Sequence, residues 1–144
     1  NLSSSVLSDP GDPVASGTQS IRVTTGQWNG AGVGGSLAVT ADTRFLRFKI
    51  YRAPGSSAYK IELTHNNWAN HASLDATTNT HWRIDGADSL TGVSDLQEGV
   101  WQLVEIDLTG LGITAFQDVA IIGGASGGDV YYLDDVEFSD GWGN

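Results

Sequence analysis

The sequence predicts an all-β protein built from two antiparallel sheets that pack face to face as a β-sandwich. Apolar and polar residues alternate in many short runs, which is the pattern of strands with one buried face. Glycine- and proline-rich turn signals separate these runs. No window carries the 3.6-residue apolar stripe of a helix, apart from a possible single turn near 114–116. Many short strands at this spacing are typical of a sandwich.

The strands with the clearest patterns follow one another along the whole chain. Their predicted ranges are 21–24, 45–51, 59–64, 81–84, 101–108, 119–122 and 129–138. Successive side chains of a strand point to opposite faces, so each pattern predicts which residues are buried. The residues expected to face the core are Leu46, Phe48 and Ile50; Tyr59, Ile61 and Leu63; Trp82 and Ile84; and Val104, Ile106 and Leu108. Trp101, at the start of its strand, is expected to cap the core.

Two glycine-rich segments match nucleotide-binding and nucleophile motifs but lack the context that those motifs require. Residues 30–35 fit G-x-G-x-x-G, yet the following run over 36–40 has a strand pattern where a dinucleotide site needs a helix. Residues 124–128 fit G-x-S-x-G, and a strand again follows where a helix is needed. We expect the first segment to be a flexible loop and the second to be a hairpin loop.

The last strand places a carboxylate on what the pattern predicts to be its core face. Alternation puts Tyr132, Asp134, Val136 and Phe138 together on that face. A buried charge without a partner is costly, and no Lys or Arg follows Arg83 in the chain. A calcium ion, which prefers carboxylate and carbonyl oxygens, would satisfy Asp134.

Composition limits the classes of partner. The chain has 144 residues, enough for one domain, predicted to span 1–144 with a core over roughly 6–138 and linker stubs at 1–5 and 141–144. A formal net charge of −10 argues against nucleic acid and anionic membranes as partners, and makes a strongly anionic polysaccharide a poor ligand. Most of the basic residues fall within 44–60, where they form either a solvated sheet face or a cationic groove. Cysteine is absent, so no disulfide framework exists.

No catalytic set stands out. A glycosidase needs two carboxylates that flank a cleft, and nothing in the sequence selects such a pair. His65, His71 and His81 do not follow a metal-ligand spacing, so we expect surface or loop histidines. The sequence therefore predicts a protein without catalytic residues.

Two tryptophans lie among amides and glycines rather than among apolar residues. Trp68 has Asn66, Asn67 and His71 as near neighbours in the sequence, and Trp28 precedes an Asn-Gly pair. A pyranose ring stacks its C–H face on an indole and offers its hydroxyl edge to amides, so both tryptophans are candidates for sugar binding. The alternative is that each folds back as a lid over the core.

Three segments carry a resemblance to a known family. These are 6–12 (VLSDPGD), 101–108 (WQLVEIDL) and 131–138 (YYLDDVEF), with support from the glycine-rich segment 30–35 and from 42–50. The chain resembles a jelly-roll carbohydrate-binding module of a secreted bacterial polysaccharide-degrading enzyme. The resemblance implies a structural calcium ion bound by Asp134, with an N-terminal carboxylate or carbonyl near Asp9 or Asp12 as a further ligand and Asp42 as another candidate. It also implies a ligand site on the concave sheet face or on the loops of one edge.

These observations lead to a main hypothesis and two alternatives. We expect a monomeric, secreted, non-catalytic module that is tethered to a catalytic domain and binds a neutral or weakly charged polysaccharide. Tyr51 and Arg83 would add contacts if the concave face is used. The first alternative is a small jelly-roll lyase or glycoside hydrolase that uses Arg83, His81 or His65 with a tyrosine. The second is a structural or adhesion domain.

Overall fold

The computed structural model of the protein describes residues 4–65, 70–74, 81–88, 90 and 92–142. Within these residues the chain forms ten antiparallel strands, which confirms the predicted all-β sandwich. One short 3₁₀ turn, Val93–Asp95, interrupts the β-structure. The strands are β1 (Ser4–Leu7), β2 (Ile21–Thr24), β3 (Gly30–Ala38), β4 (Phe45–Arg52), β5 (Lys60–His65), β6 (Asn70–Leu74), β7 (Trp82–Ile84), β8 (Trp101–Asp107), β9 (Ala115–Ile122) and β10 (Val130–Ser139).

The strands divide into a six-stranded and a four-stranded sheet with jelly-roll connections. The first sheet has the order β1-β2-β10-β4-β8-β7, and the second has the order β3-β9-β5-β6. In each sheet an early strand lies beside a late one, β2 beside β10 and β3 beside β9. This interleaving of the two halves of the chain is the mark of a jelly roll. Within the described residues, no helix is long and apolar enough to cross a membrane.

The core lies between the sheets and contains nearly all the side chains that the alternation predicted to be buried. Leu46, Phe48 and Ile50 of β4 and Val104 and Ile106 of β8 are almost inaccessible to solvent. Leu108, Ile61, Leu63, Trp82 and Ile84 are buried as well. Alternation gave the right face because a strand that packs against a second sheet must bury every other side chain.

Tyr59 is the exception, because its side chain is 48% exposed instead of buried. The ladder of β5 with β9 starts one residue later, at the pair Lys60 and Ile122. Tyr59 thus lies immediately before the first residue of β5, where the alternation of the strand no longer fixes the direction of its side chain. The predicted core position is wrong for this residue.

The last strand contains a β-bulge that reverses its predicted faces halfway along. Asp134 pairs with Lys49 and Glu137 with Arg47, so two residues of β10 lie opposite one residue of β4. Asp135, one of those two, has a left-handed backbone with φ of 50°. Before the bulge, the core-facing side chains of β10 are Tyr131 and Leu133; after it, they are Val136 and Phe138.

The bulge overturns the argument that Asp134 is buried without a partner. Asp134 lies on the outer side of the six-stranded sheet and is half-buried. Its Oδ2 accepts hydrogen bonds from the backbone N–H groups of Ala15 and Ser16, at 3.0 and 3.1 Å, and its Oδ1 accepts one from the N–H of Asp135 at 2.8 Å. The carboxylate is therefore satisfied by backbone donors of the loop between β1 and β2.

The segment 30–35 is a strand and not a flexible loop. It forms the first part of β3, whose backbone lies unusually close to β9. A Cβ atom at Gly32 would be 2.0 Å from the carbonyl oxygen of Val119, so only glycine fits there. The glycines allow close approach of two strands rather than mobility. The second glycine-rich segment, 124–128, is a loop as predicted, but it joins β9 and β10, which belong to different sheets, so it is not a hairpin.

Candidate functional site

Two exposed aromatic side chains stand next to each other at one edge of the four-stranded sheet. Trp28 is 59% exposed and Tyr59 is 48% exposed. Their ring centroids are 5.4 Å apart and their planes meet at 87°. We refer to this pair as the aromatic corner. The other large exposed hydrophobic side chains in the described residues are aliphatic, so the two most exposed rings of these residues lie here.

A tight turn holds Trp28 in this position. The N–H of Asn29 donates to the carbonyl oxygen of Gly26 at 3.4 Å, and the N–H of Trp28 donates to Gly124 at 3.1 Å. Trp28 itself has a φ of 51°, a left-handed conformation that bulky side chains rarely adopt. Such strain persists only when the surroundings fix it. The turn therefore presents the indole to solvent at a conformational cost, which is the reverse of a lid folded over the core.

Charged groups adjoin the corner. Lys60 Nζ lies 2.6 Å from Glu62 Oε2 and 5.6 Å from the centre of the Tyr59 ring. The other carboxylate oxygen of Glu62 lies 3.2 Å from Nδ1 of His71. Together these residues offer hydrogen-bond donors and acceptors beside stacking surface. Lys60 and Glu62 border a cavity of about 370 Å³, whose lining residues are Trp28, Asn29, Gly30, Tyr59, Lys60, Glu62 and Ile122.

The outer face of the four-stranded sheet continues from this cavity toward His71. Glu62 pairs with Ala120 on one side and with Ser73 on the other, so small side chains flank it. Two residues further along, Thr64 lies between Asp118 and His71. Asp118 Oδ1 is buried and has no hydrogen-bond partner in the part of the chain that the structure describes.

The predicted ligand residues fall on two opposite faces. Trp28 and His71 belong to the four-stranded side, whereas Tyr51 and Arg83 lie on the outer face of the six-stranded sheet. These faces are separated by both sheets, which pack about 10 Å apart in a sandwich. The structure therefore does not bring the four together. Trp68, Asn66 and Asn67 lie outside the described residues.

Tyr51 belongs to an aromatic cluster on the six-stranded face. Its ring centroid is 5.5 Å from that of Trp101 and 5.9 Å from that of Tyr132. Trp101 is only partly buried and lies on this outer face, so the prediction that it caps the core is wrong. Burial, followed by the nearby Asp12 carboxylate, raises the pKa of Tyr132.

The guanidinium of Arg83 is already occupied by the C-terminal tail. Its central carbon lies 4.1 Å from the centre of the Trp142 ring, a cation–π arrangement. The same indole packs against Phe45, with ring centroids 4.6 Å apart. Trp142, predicted to belong to a linker stub, is thus bound to the six-stranded face.

Within the basic cluster 44–60, Arg47 and Lys49 of β4 form an ion-paired sheet face and not an open cationic groove, whereas Lys60 lies on the four-stranded sheet. Arg47 lies 3.2 Å from Glu105 and 3.0 Å from Glu137, and Lys49 lies 3.3 Å from Asp135. Arg44 makes two hydrogen bonds to Asp107, which hold the pKa of that carboxyl below its usual range. Arg52 donates to the carbonyl oxygens of Ser56 and Leu96. Of the two interpretations, the solvated sheet face is the one that the contacts favour.

The four carboxylates predicted to bind calcium do not form one site. Asp9 and Asp12 both contact the guanidinium of Arg22, at 3.0 and 3.2 Å, so a cation already lies between them. Both oxygens of Asp134 accept backbone N–H groups. Asp42 lies in the turn before β4, at the opposite end of that strand from the pair Tyr51–Tyr132.

Among the residues that the structure describes, no group of three His, Asp or Glu side chains is placed to hold a metal. The calcium ion itself stays a prediction that a melting experiment must test.

The residues of the enzyme alternative are dispersed. His65 is buried at the end of β5 in the four-stranded sheet. His81 precedes β7 of the other sheet, with Nδ1 at 3.8 Å from Asp107 Oδ2, and Arg83 stacks on Trp142. We find no shared cleft that joins the three within the described ranges.

Comparison of the chain with protein-family models, with curated proteins and with solved structures found no match. The contacts of the aromatic corner therefore carry the functional argument.

Proposed function

We propose that the protein binds a polysaccharide without catalysis, and that the aromatic corner is its binding site. The observation that carries this proposal is the exposure of Trp28 and Tyr59 side by side, next to the polar groups of Lys60 and Glu62. Exposed rings supply stacking surface for the C–H faces of a sugar. Charged and amide groups beside them supply the hydrogen bonds that its hydroxyls need.

The sequence suggested Trp68 as the main stacking residue and Trp28 as the second. The geometry gives direct support to Trp28, because its backbone is strained and its ring is held in solvent. Tyr59 joins it, although alternation had placed that ring in the core. Trp68 stays a candidate on the grounds of its sequence neighbours alone.

The affinity of a single site should be modest. Each polar contact exchanges a hydrogen bond to water for one to a sugar hydroxyl, with a net gain of about 0.5–1.5 kcal/mol at best. Association also costs translational and rotational freedom. Stacking on the two rings is therefore expected to supply most of the specific binding free energy.

The setting of the module is a further part of the proposal. The resemblance of the sequence to modules of secreted bacterial enzymes supports a monomeric, extracellular domain tethered to a catalytic domain, which it would hold close to the polymer. The acidic composition, with a net charge of −10, agrees with a ligand that is neutral or weakly charged.

Affinity electrophoresis against a panel of polysaccharides, with product analysis of the same samples, tests the proposal. We expect retardation by at least one glycan, no released reducing ends and no unsaturated products. Trp28→Ala should lose the retardation, whereas Trp101→Ala, on the opposite face, should keep it. Turnover that disappears on mutation of His81 would favour the enzyme alternative. Absence of retardation by every glycan would favour a structural or adhesion domain.

A further inference from the structure

The angle between the two rings of the aromatic corner restricts the kind of polymer that can bind. Rings that dock on the flat face of a crystalline polymer must lie in one plane. The planes of Trp28 and Tyr59 are almost perpendicular, at 87°, with centroids 5.4 Å apart. If one ring lies flat on a surface, the other stands upright as a wall beside it. The corner can therefore enclose a sugar on two sides but cannot lie against a plane.

The cavity beside the two rings is large enough for a short segment of a single glycan chain. The adjoining cavity has a volume of about 370 Å³, near the lower end of the 300–1,000 Å³ typical of ligand sites. Its border includes the turn that holds Trp28 and the first residues of β5. A chain end or a short internal segment can enter such a space while the rest of the polymer stays in water.

The charges beside the cavity favour a ligand without net charge. The ammonium of Lys60 is matched by Glu62 at 2.6 Å, so a sugar carboxylate would have to compete with a fixed carboxylate and would be repelled by it. A hydroxyl meets no such conflict, because it can donate to Glu62 and accept from Lys60 at once. Nδ1 of His71 lies 3.2 Å from the other oxygen of Glu62 and can donate to it when it carries a proton.

The backbone presets this geometry. The left-handed φ of Trp28, fixed by the hydrogen bonds of the Gly26–Asn29 turn and by the contact with Gly124, orders the indole before the ligand arrives. Because the indole is already ordered before binding, less conformational entropy is lost when the ligand binds. From these four observations, and resting on the proposed function, we propose that the aromatic corner binds single, hydrated chains of neutral sugars and does not bind the faces of crystalline polymers.

The test compares three classes of glycan with the full chain. Crystalline cellulose and chitin are used in pull-down assays, soluble neutral β-glucan, xylan and mannan in calorimetry, and alginate and polygalacturonate as uronate polymers. We expect binding to at least one soluble neutral glycan, with no comparable retention on the crystals or by the uronates. Trp28→Ala and Tyr59→Ala should each weaken that binding about tenfold or more, as lost stacking does on other flat ligands.

Glu62→Gln provides the variant that isolates the charge argument. This change keeps the shape of the side chain but leaves the ammonium of Lys60 without its carboxylate, so uronate binding should rise several-fold while neutral binding falls. Trp101→Ala, on the outer face of the six-stranded sheet, is the matched control and should bind as the unmodified protein does.

Each outcome discriminates between the two proposals. Retention on crystals that equals soluble binding, or uronate binding tighter than neutral binding in the unmodified protein, would overturn this inference and leave the proposed function in place. Strong binding to a soluble neutral glycan that Trp28→Ala and Tyr59→Ala leave intact would show that the site lies elsewhere. That result would overturn this inference and the assignment of the site to the aromatic corner, and would leave only non-catalytic polysaccharide binding in place. No binding to any of the three classes would overturn the proposed function, and this inference with it.

Discussion

Replacement of Trp28 by asparagine should abolish most of the glycan binding while it leaves the fold almost unchanged. Asparagine accepts left-handed backbone angles more readily than tryptophan does. The φ of 51° at this position would therefore be less strained after the change. The indole is 59% exposed, so little buried apolar area is lost with it.

The expected size of each effect follows from these contacts. Loss of the edge-to-face contact with Tyr59 should lower the free energy of unfolding by about 0.5–1.5 kcal/mol. Relief of the backbone strain at position 28 offsets part of this loss. The net change in the free energy of unfolding should therefore be about 1 kcal/mol or less. For a chain of this size that is a shift of about 2–4 °C in Tm. Loss of a stacking surface should weaken binding by about 1–3 kcal/mol, and about 1.4 kcal/mol corresponds to a factor of ten.

Trp82→Ala is the control for a tryptophan of the core. That side chain is 1% exposed, and its removal should cost about 3–5 kcal/mol. Thermal melting and calorimetry with a bound glycan give both quantities for each variant. If Trp28→Asn lowered stability as much as Trp82→Ala does, the indole would be a lid over the core. If it left the affinity unchanged, the binding site would lie elsewhere.

Three further predictions concern stability. Gly32→Ala should lower the free energy of unfolding by about 1–3 kcal/mol or more, because its Cβ would lie 2.0 Å from the Val119 oxygen. The control is Gly124→Ala, because that glycine has open space around it and no left-handed backbone. Hydrogen bonds from Arg44 lower the pKa of Asp107, so the stabilising contribution of this carboxylate is complete above pH of about 4 and is lost as the pH falls below that value. Asp107→Asn should therefore make the Tm fall less steeply with decreasing pH. Asp134→Ala should cost about 1–3 kcal/mol in EDTA and in calcium alike, because its oxygens accept backbone N–H groups; a loss seen only with calcium would support the predicted ion.

The contacts of the ionic groups show why site prediction from the sequence was limited. The pattern of β4 predicted that Arg47 and Lys49 point outward, and they do. It could not predict that Glu105, Glu137 and Asp135 from two other strands would neutralise them. Ion pairs between neighbouring strands depend on register, and register is decided by the whole sheet.

The sequence by itself determined the fold class and the buried faces of β4, β5 and β8. Alternation is a local property, because each side chain of a strand points away from the next one. The sequence also distinguished Trp28 from the core tryptophan Trp82 through their immediate neighbours, since polar residues and glycines flank the first and apolar residues alternate around the second.

Only the tertiary structure decided where the alternation of inward and outward side chains is interrupted, and which residues that are distant in the sequence come into contact. A single bulge at Asp135 reversed the first half of β10 and turned Asp134 outward, because one extra residue shifts every side chain before it to the other face. The aromatic corner joins Trp28 and Tyr59 across two connections between sheets. Their contact depends on the packing of β3, β9 and β5 side by side, and no local pattern of residues encodes that arrangement.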